Sequence, residues 1–400
     1  MTAPRVVILA TADFDSAVWT NKQHLAVGLV ERGIDVHYVE SFGLREPRMS
    51  RADLARAIRR LRDAILGRRR PSGPADSTTS STARPRPTVI SPFVIPFHRS
   101  SFVRALNAFL VRTLLLPRLP SGPDVILWTF SPLTYGLERI AGSTIYHSVD
   151  LLHHQDRAPA KVLIENEQRL VLHADRVIAS SAGVRQHIEQ LGREDVLLWE
   201  NVADVETYAR VRVERADTAI FAGNLTPSKI DVDLLLALAE YEIDVVLAGP
   251  LAVDGTSAQT MREVLDHPRI RYLGNLQPER LAEAMASARV GLIPYADNPY
   301  TRGVFPMKVY EYMAAGLNVV ATPLPSMMAS NTPVTFANVS SYPMAVAIAI
   351  AAWTEDGADA RREIAAAHSW TGRTAEAAGL VRMLAGIGTN DASLGSARHE

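Results

Sequence analysis

The chain contains no cysteine. Disulfides, thiol nucleophiles and cysteine-bound zinc are therefore excluded, and the composition suits a reducing cytoplasm. Net charge is almost absent, at -1 over 400 residues, so no overall field draws the molecule to nucleic acid or to a membrane. No stretch approaches the ~20 uninterrupted apolar residues that a membrane span requires. The opening run Arg5-Val-Val-Ile-Leu-Ala10 is too short for a signal-peptide core and is soon followed by Asp13 and Asp15. No Gly-x-Gly-x-x-Gly follows it, which argues against a plain dinucleotide dehydrogenase. No internal repeat of solenoid period is present. A cytoplasmic protein without nucleic-acid partners is expected.

What is present is alternation. Hydrophobic residues at 47% and charged residues at 21% leave enough apolar surface for two cores of ordinary size. Residues 5–10 read as a strand buried on both faces, 20–32 as a helix with Leu25, Leu29 and Val30 at helical spacing and Gly33 as its stop, and 34–39 as the next strand: a parallel βαβ unit. A basic stretch follows, with ten arginines between Arg45 and Arg70 against Glu46, Asp53 and Asp63. Within it, 51–67 reads as an amphipathic helix. Residues 71–88 are low-complexity and are expected to form a disordered loop. A second amphipathic helix is expected over 100–116, with Phe102, Leu106, Phe109, Leu110 and Thr113 along one side. Further alternation carries the series to a strand at 196–199. A second α/β series starts at Thr218 and closes with helices near 343–353 and 368–385. The fold class is therefore α/β, with two Rossmann-like domains facing across a cleft: 1–205 and 206–367, then a crossover helix at 368–386 and a flexible tail at 387–400.

Three segments carry candidate chemistry. In Tyr300 to Gly316 a glycine-containing loop enters a helix whose first turn is expected to hold Pro306, at N1, and Lys308. Free backbone N–H groups and the positive dipole end attract phosphate there, Lys308 adds a charge, and Glu311 one turn on could grip ribose hydroxyls. An ordinary surface Lys–Glu pair explains the same spacing. In Phe221 to Lys229, Gly223 at a strand end permits close backbone approach to a ligand, and Lys229 is expected to open the next helix; a plain strand–helix turn is the simpler alternative. In Thr144 to His154, Asp150 or His147 could serve as general base for a sugar hydroxyl, or be a loop carboxylate and a satisfied histidine. The adjacent His153 and His154 lack a helical partner and are poor evidence for metal. Asp13-Phe-Asp15 and Asp231-Val-Asp233 match the Asp-x-Asp pattern of metal-dependent transferases only weakly.

The whole chain resembles the GT-B glycosyltransferases of family 4 and their relatives, nearest to the teichuronic-acid type and more distantly to xanthan glucuronosyltransferase-like enzymes. The resemblance lies in Asn21-Lys-Gln-His-Leu25 with Arg32-Gly33, Asp175-Arg-Val-Ile-Ala-Ser180, Asn201-Val-Ala-Asp204, Phe305 to Gly316 with Val319-Val320, and Ser369-Trp370, in that order. It implies a sugar transferase acting from a nucleotide-diphosphate sugar, such as a UDP-sugar, with no obligatory cofactor or metal. Gly223, Asn224, Leu225, Asn275, Leu276, Tyr295, Phe305, Met307, Lys308 and Glu311 would line the nucleotide site, Lys229 would be the phosphate lysine, and Asp150 the base. Gly303 stands where the retaining enzymes carry a glutamate, and Asn224 where an arginine is expected. Both departures favour the inverting relatives, and Arg302 could restore the positive charge. The acceptor would be a glycan, a glycolipid or a small molecule, in cell-envelope or polysaccharide synthesis. The basic helix and the apolar face of 100–116 suggest peripheral contact with the inner face of an anionic membrane, against a solvated basic face and a core helix. A nucleotide-sugar 2-epimerase of the same fold and a non-catalytic sugar-nucleotide binding subunit remain alternatives.

Overall fold

A computed structural model of the chain describes residues 4–16, 19–44, 86–155, 157–251 and 261–386. The expected helix at 51–67, residues 71–85 of the expected loop and the tail at 387–400 lie outside the described residues. Two compact units emerge: the described residues up to Ser180 with 184–199 and those from Arg373 onward, and 181–183 with 200–372.

The first unit begins with β1 (Arg5–Leu9), α1 (Asn21–Glu31), β2 (Asp35–Val39) and β3 (Thr88–Ile90). It continues through α2 (Ser101–Leu110), β4 (Gly122–Thr129), β5 (Ala141–Ser148), α3 (Ala160–His173), β6 (Arg176–Ala179), α4 (Ala182–Gln190) and β7 (Val196–Leu198). The strands form one sheet in the order β3-β2-β1-β4-β5-β6-β7, all parallel. The aliphatic run of β1 serves both faces. Val6 and Ile8 enter a core with Leu25 and Leu29 of α1, while Val7 and Leu9 enter another with Val39 and Leu127. This two-sided burial is what a continuous apolar strand in a parallel sheet requires. At the start of α1, Thr20 and Gln23 form a reciprocal capping box. Gly33, at φ +76, ends the helix where an L side chain would be strained.

The helix expected over 100–116 is differently built. Regular α-structure covers α2, a wider π turn follows at Val111–Leu115, and a 3-10 turn at Leu116–Arg118. The buried positions are Asn107, Val111 and Leu115, whereas Phe102 and Phe109 are 76% and 60% exposed. The cause is Asn107: its amide accepts the Ile95 N–H at 2.9 Å and donates to the Ile95 carbonyl at 2.9 Å and to the Tyr135 hydroxyl at 3.2 Å. Those bonds turn the asparagine inward and the phenylalanines outward.

The second unit opens with α5 (Val205–Ala209), β8 (Thr218–Ala222), α6 (Val232–Glu240), β9 (Asp244–Ala248), α7 (Arg262–Asp266) and β10 (Ile270–Tyr272). Then come α8 (Pro278–Ala286), β11 (Val290–Ile293), α9 (Lys308–Ala314), β12 (Asn318–Ala321), α10 (Pro325–Met328), β13 (Thr335–Phe336), α11 (Tyr342–Ala351), α12 (Glu355–Ala366) and α13 (Trp370–Leu384). Its parallel sheet runs β10-β9-β8-β11-β12-β13. Ala203, Val205 and Tyr208 belong to this unit's core, so the division falls after Trp199 rather than near 205. From Arg373 onward α13 returns to the first unit, where Ala377, Ala378, Leu380 and Val381 join the core of β1 and α1.

Candidate functional site

In the second sheet the strand order reverses between β8 and β11. Ligands of open parallel sheets bind outside the carboxyl ends of the strands at such a point. Here β8 and β11 pair only through Val290 with Ala219 and Gly291 with Ile220, and then part. The Tyr312 hydroxyl of α9 fills the gap, accepting the Ala222 N–H at 2.8 Å and donating to the Leu292 carbonyl at 3.2 Å. Gly291 makes room for the ring: a Cβ there would lie 2.3 Å from it. The helix bearing Lys308 and Glu311 is thus fixed directly to the switch point.

The loop after β8 carries Gly223, Asn224 and Leu225. It is stitched to its neighbour by the Gly223 N–H on the Ala248 carbonyl and the Leu225 N–H on the Pro250 carbonyl, both at 2.9 Å. Gly249 closes the same turn, and a Cβ on it would lie 2.0 Å from the Gly223 carbonyl oxygen. Asn224 is exposed and Gly223 half-buried. Leu225 is fully buried in the core, so its side chain does not line this edge and only its backbone reaches it. Asn275 and Leu276 lie on the corresponding loop after β10, Asn275 exposed and Leu276 half-buried.

Lys229 does not open a helix. It sits in the loop ahead of α6, whose cap is Asp231, the Oδ1 of which accepts the Leu234 N–H. That capping role accounts for the first aspartate of Asp231-Val-Asp233. Lys229 instead lies over the Tyr295 ring, with its Nζ 4.8 Å from the centroid. The loops after β8 and β11 are joined at this place by the Asp231 N–H on the Pro294 carbonyl at 2.7 Å, the Ala296 N–H on the Lys229 carbonyl at 3.0 Å and the Asn298 amide on the Ser228 carbonyl at 3.1 Å.

The helix start also differs from expectation. α9 begins at Lys308, and Pro306 precedes its cap rather than occupying N1. The N–H groups of Val309 and Tyr310 turn back onto the Pro306 and Met307 carbonyls at 3.2 and 3.1 Å. The tight turn consumes donors that a regular helix start would offer, so charge at this end rests chiefly on Lys308. Its ammonium pairs with Glu311 one turn on, and the two side chains are 22% and 10% exposed. This pair is partly desolvated, unlike an ordinary surface pair, and desolvated ions bring little net stability. Met307 is half-buried beside it. Phe305 is in the core; its carbonyl accepts the Asn201 amide at 2.6 Å, so it too contributes backbone and not a lining side chain. Arg302 is exposed and held bidentately by Asp297 at 2.6 and 2.9 Å, and that carboxylate raises its pKa.

In the first unit the order reverses between β1 and β4. Near that point His147 is buried among Trp128, Phe130 and Trp199. Its Nδ1 accepts the Trp128 indole N–H at 3.4 Å, and its Nε2 is buried without a hydrogen-bond partner. Burial, and then the charges of Arg373 and Lys22, hold its pKa well below the usual histidine range. Asp150 follows β5, half-buried, with its carbonyl accepting the Leu152 N–H at 2.8 Å. The residue that sequence reasoning missed is Lys22 of α1. It is 6% exposed, with its Nζ 5.4 Å from the Phe130 centroid. Burial lowers its pKa and the Asp150 carboxylate opposes that shift. A buried lysine leaves little sequence trace, although Asn21-Lys-Gln-His-Leu25 was already a motif segment.

A protein-family model described as Glycosyl transferases group 1 matches residues 216–356. That match covers most of the second unit. TuaH of Bacillus subtilis (strain 168), named as a teichuronic acid biosynthesis glycosyltransferase, is 29% identical over 188 residues, covering 43% of this chain and 46% of its own. The chain thus matches under half the length of that relative. Among solved structures, sucrose-phosphate synthase from Thermosynechococcus elongatus has a TM-score of 0.67 at 15% identity, over 96% of this chain and all of its own. An E. coli structure named trehalose-6-phosphate, bound with UDP-2-fluoro glucose, has a TM-score of 0.60 at 14% identity, over 94% and 99% of the two chains. TarM from S. aureus, in complex with fondaparinux, α-GlcNAc-glycerol and UDP, has 0.60 at 11%, with the same coverage. With two parallel-sheet units, these neighbours give the chain the GT-B fold. The family match spans β8 through the start of α12 and contains every residue placed above at the β8/β11 switch point.

Proposed function

We propose that the chain is a glycosyltransferase moving a sugar from a nucleotide-diphosphate donor to a hydroxyl of a glycan, glycolipid or small-molecule acceptor in cell-envelope or polysaccharide synthesis. One observation carries the reading: inside the stretch matched to the family, Lys229 on Tyr295 and Lys308 on Glu311 occupy segments that leave the same switch point. Two lysines there supply the charge that a diphosphate needs, and charge building on the leaving phosphate is stabilised electrostatically. The UDP named with two neighbours supports uracil as the base. Gly303, in place of the retaining glutamate, supports inversion, with Asp150 as the base that takes the acceptor proton. His147 is less suited to that role, because its Nδ1 is engaged by Trp128 and burial lowers its pKa, which makes it a weaker base.

Nucleotide-sugar binding by thermal shift, followed by turnover, tests the reading. Lys308→Ala should weaken UDP binding by roughly 10- to 100-fold, the worth of a charged hydrogen bond. Asp150→Asn should leave binding intact and lower turnover by about 10²- to 10⁴-fold, the range of a general base. Full turnover in Asp150→Asn would remove that residue from the mechanism.

A lipid-linked acceptor and peripheral contact with an anionic membrane belong to the same proposal. Support comes from Phe102 and Phe109, two turns apart and both exposed, with Arg112 and Arg118 exposed on the segment that follows. Among the described residues no helix is long and apolar enough to cross a membrane. Replacing both phenylalanines with serine should abolish flotation with anionic vesicles; unchanged flotation would show that this face is not the contact.

A further inference from the structure

Away from the residues assigned above, three side chains of the first unit converge. His153 lies in the 3-10 turn Leu152–His154 after β5, Glu167 on α3 and His187 on α4. Among the described residues this is the group of His, Asp and Glu whose potential ligand atoms all lie within 4.8 Å of one another. Glu167 Oε2 is 3.0 Å from His187 Nε2 and 3.9 Å from His153 Nδ1. A tetrahedral ion with bonds of about 2.0–2.1 Å holds its ligand atoms about 3.3 Å apart, so only small side-chain adjustments separate this cluster from a coordination sphere.

Two further observations point to a ligand. The His153 side chain is 8% exposed and its Nδ1 is buried without a hydrogen-bond partner, although it faces the carboxylate. Leaving such an atom unpaired is costly. The carboxylate is also held as an oriented ligand would be. Its other oxygen, Oε1, accepts the buried Tyr146 hydroxyl at 2.6 Å and faces the Ser148 hydroxyl at 3.5 Å, leaving Oε2 to the two imidazoles. Such outer partners fix ligand orientation at metal centres.

We propose that His153, Glu167 and His187 bind a divalent transition-metal cation of the zinc class, with a fourth position left to water. Two imidazole nitrogens and one carboxylate oxygen are a donor set that suits zinc and its neighbours better than magnesium or calcium. On binding, the proton of the His187 Nε2–H···Oε2 bond is displaced and Nδ1 carries the ring proton. The ion ties the turn after β5, which also carries Asp150, to α3 and α4. Any effect on catalysis rests on the function proposed above, but the site itself does not.

The test is direct binding without donor or acceptor. EDTA-stripped full-length protein is titrated with Zn²⁺ against a chromophoric chelator, and Co²⁺ is used to read the visible spectrum of a low-symmetry site. One equivalent should bind. His153→Ala and His187→Ala should each weaken it more than about 100-fold, and Tyr146→Phe about 10- to 100-fold as an outer partner. His173→Ala, outside the cluster, should leave it unchanged. His187→Gln, with its metal-free melting temperature compared with wild type, separates ligand loss from misfolding. Absence of stoichiometric binding by wild type, or equal binding by the His153 and His187 variants, would overturn the assignment. Metal binding with no transferase turnover would leave it standing and count only against the proposed function.

Discussion

His147 can be tested through stability as well as turnover. Its imidazole stays neutral in the folded chain well below pH 6.5 because burial penalises the charge, whereas in the unfolded chain it protonates near 6.5. Below about pH 6.5 the unfolded state therefore binds the extra proton, and folding stability falls as pH falls. The contribution is complete above that pH and is lost progressively on acidification. His147→Asn removes the titrating group while keeping an oxygen where Nδ1 accepts the Trp128 N–H. Melting temperature followed from pH 7.5 to 5 should decline less steeply in the variant than in wild type; equal slopes would show that His147 titrates normally. The Asp150, Lys308 and Glu311 side chains were legible as candidates because charged residues after a strand or in a helix's first turn lie where ligands of a parallel sheet bind. Lys22 was not, because only the fold reveals that its ammonium is buried beside Phe130.

Elements were legible wherever periodicity was strong. The runs at β1, β8 and β11 are apolar and buried on both faces, and Gly33 and Gly274 mark turns at φ +76 and +73. The reading failed where polar residues face inward. Asn107 reversed the face of α2, and α12 was missed because its buried positions are Ala358, Arg362 and Ala365, without an aliphatic stripe. Its Thr354 cap, accepting the Gly357 N–H at 3.2 Å, was the available signal. Stability tells whether Asp231 of Asp231-Val-Asp233 caps a helix or binds a metal. As the cap of α6, Asp231 should contribute about 1 kcal/mol. Urea denaturation of Asp231→Ala should show a loss of that size, while Asp231→Asn, which keeps a capping oxygen, should lose little. A metal-binding aspartate would instead give two variants of unchanged stability.

At the scale of the whole molecule, the last described helix joins a chain segment beyond the second unit to the core of the first. The sequence placed a crossover helix here but could not say which core it completes. Ala377 and Val381 are fully buried, with Ala378 and Leu380 nearly so, in the cluster built by Val6, Ile8, Leu25 and Leu29. The approach to α1 is close enough that a Cβ on Gly28 would lie 2.3 Å from Thr374 Cγ2. Burying a valine or leucine side chain contributes about 1.5–3 kcal/mol, so removing the helix costs several kcal/mol, a large share of the 5–15 kcal/mol that typically stabilises a domain. The second unit extends only to Gly372 and retains the Trp370 N–H on the Ala203 carbonyl at 3.3 Å. A chain ending at Gly372 should therefore lose or greatly lower the melting transition of the first unit while keeping that of the second. Limited proteolysis should leave a resistant fragment starting near Glu200. Calorimetry of this chain beside one ending at Gly386 makes the comparison. A single transition at the same temperature in both would mean that α13 is dispensable to the first core, and that the buried alanines and aliphatics at 377–381 are replaced there by other parts of the chain.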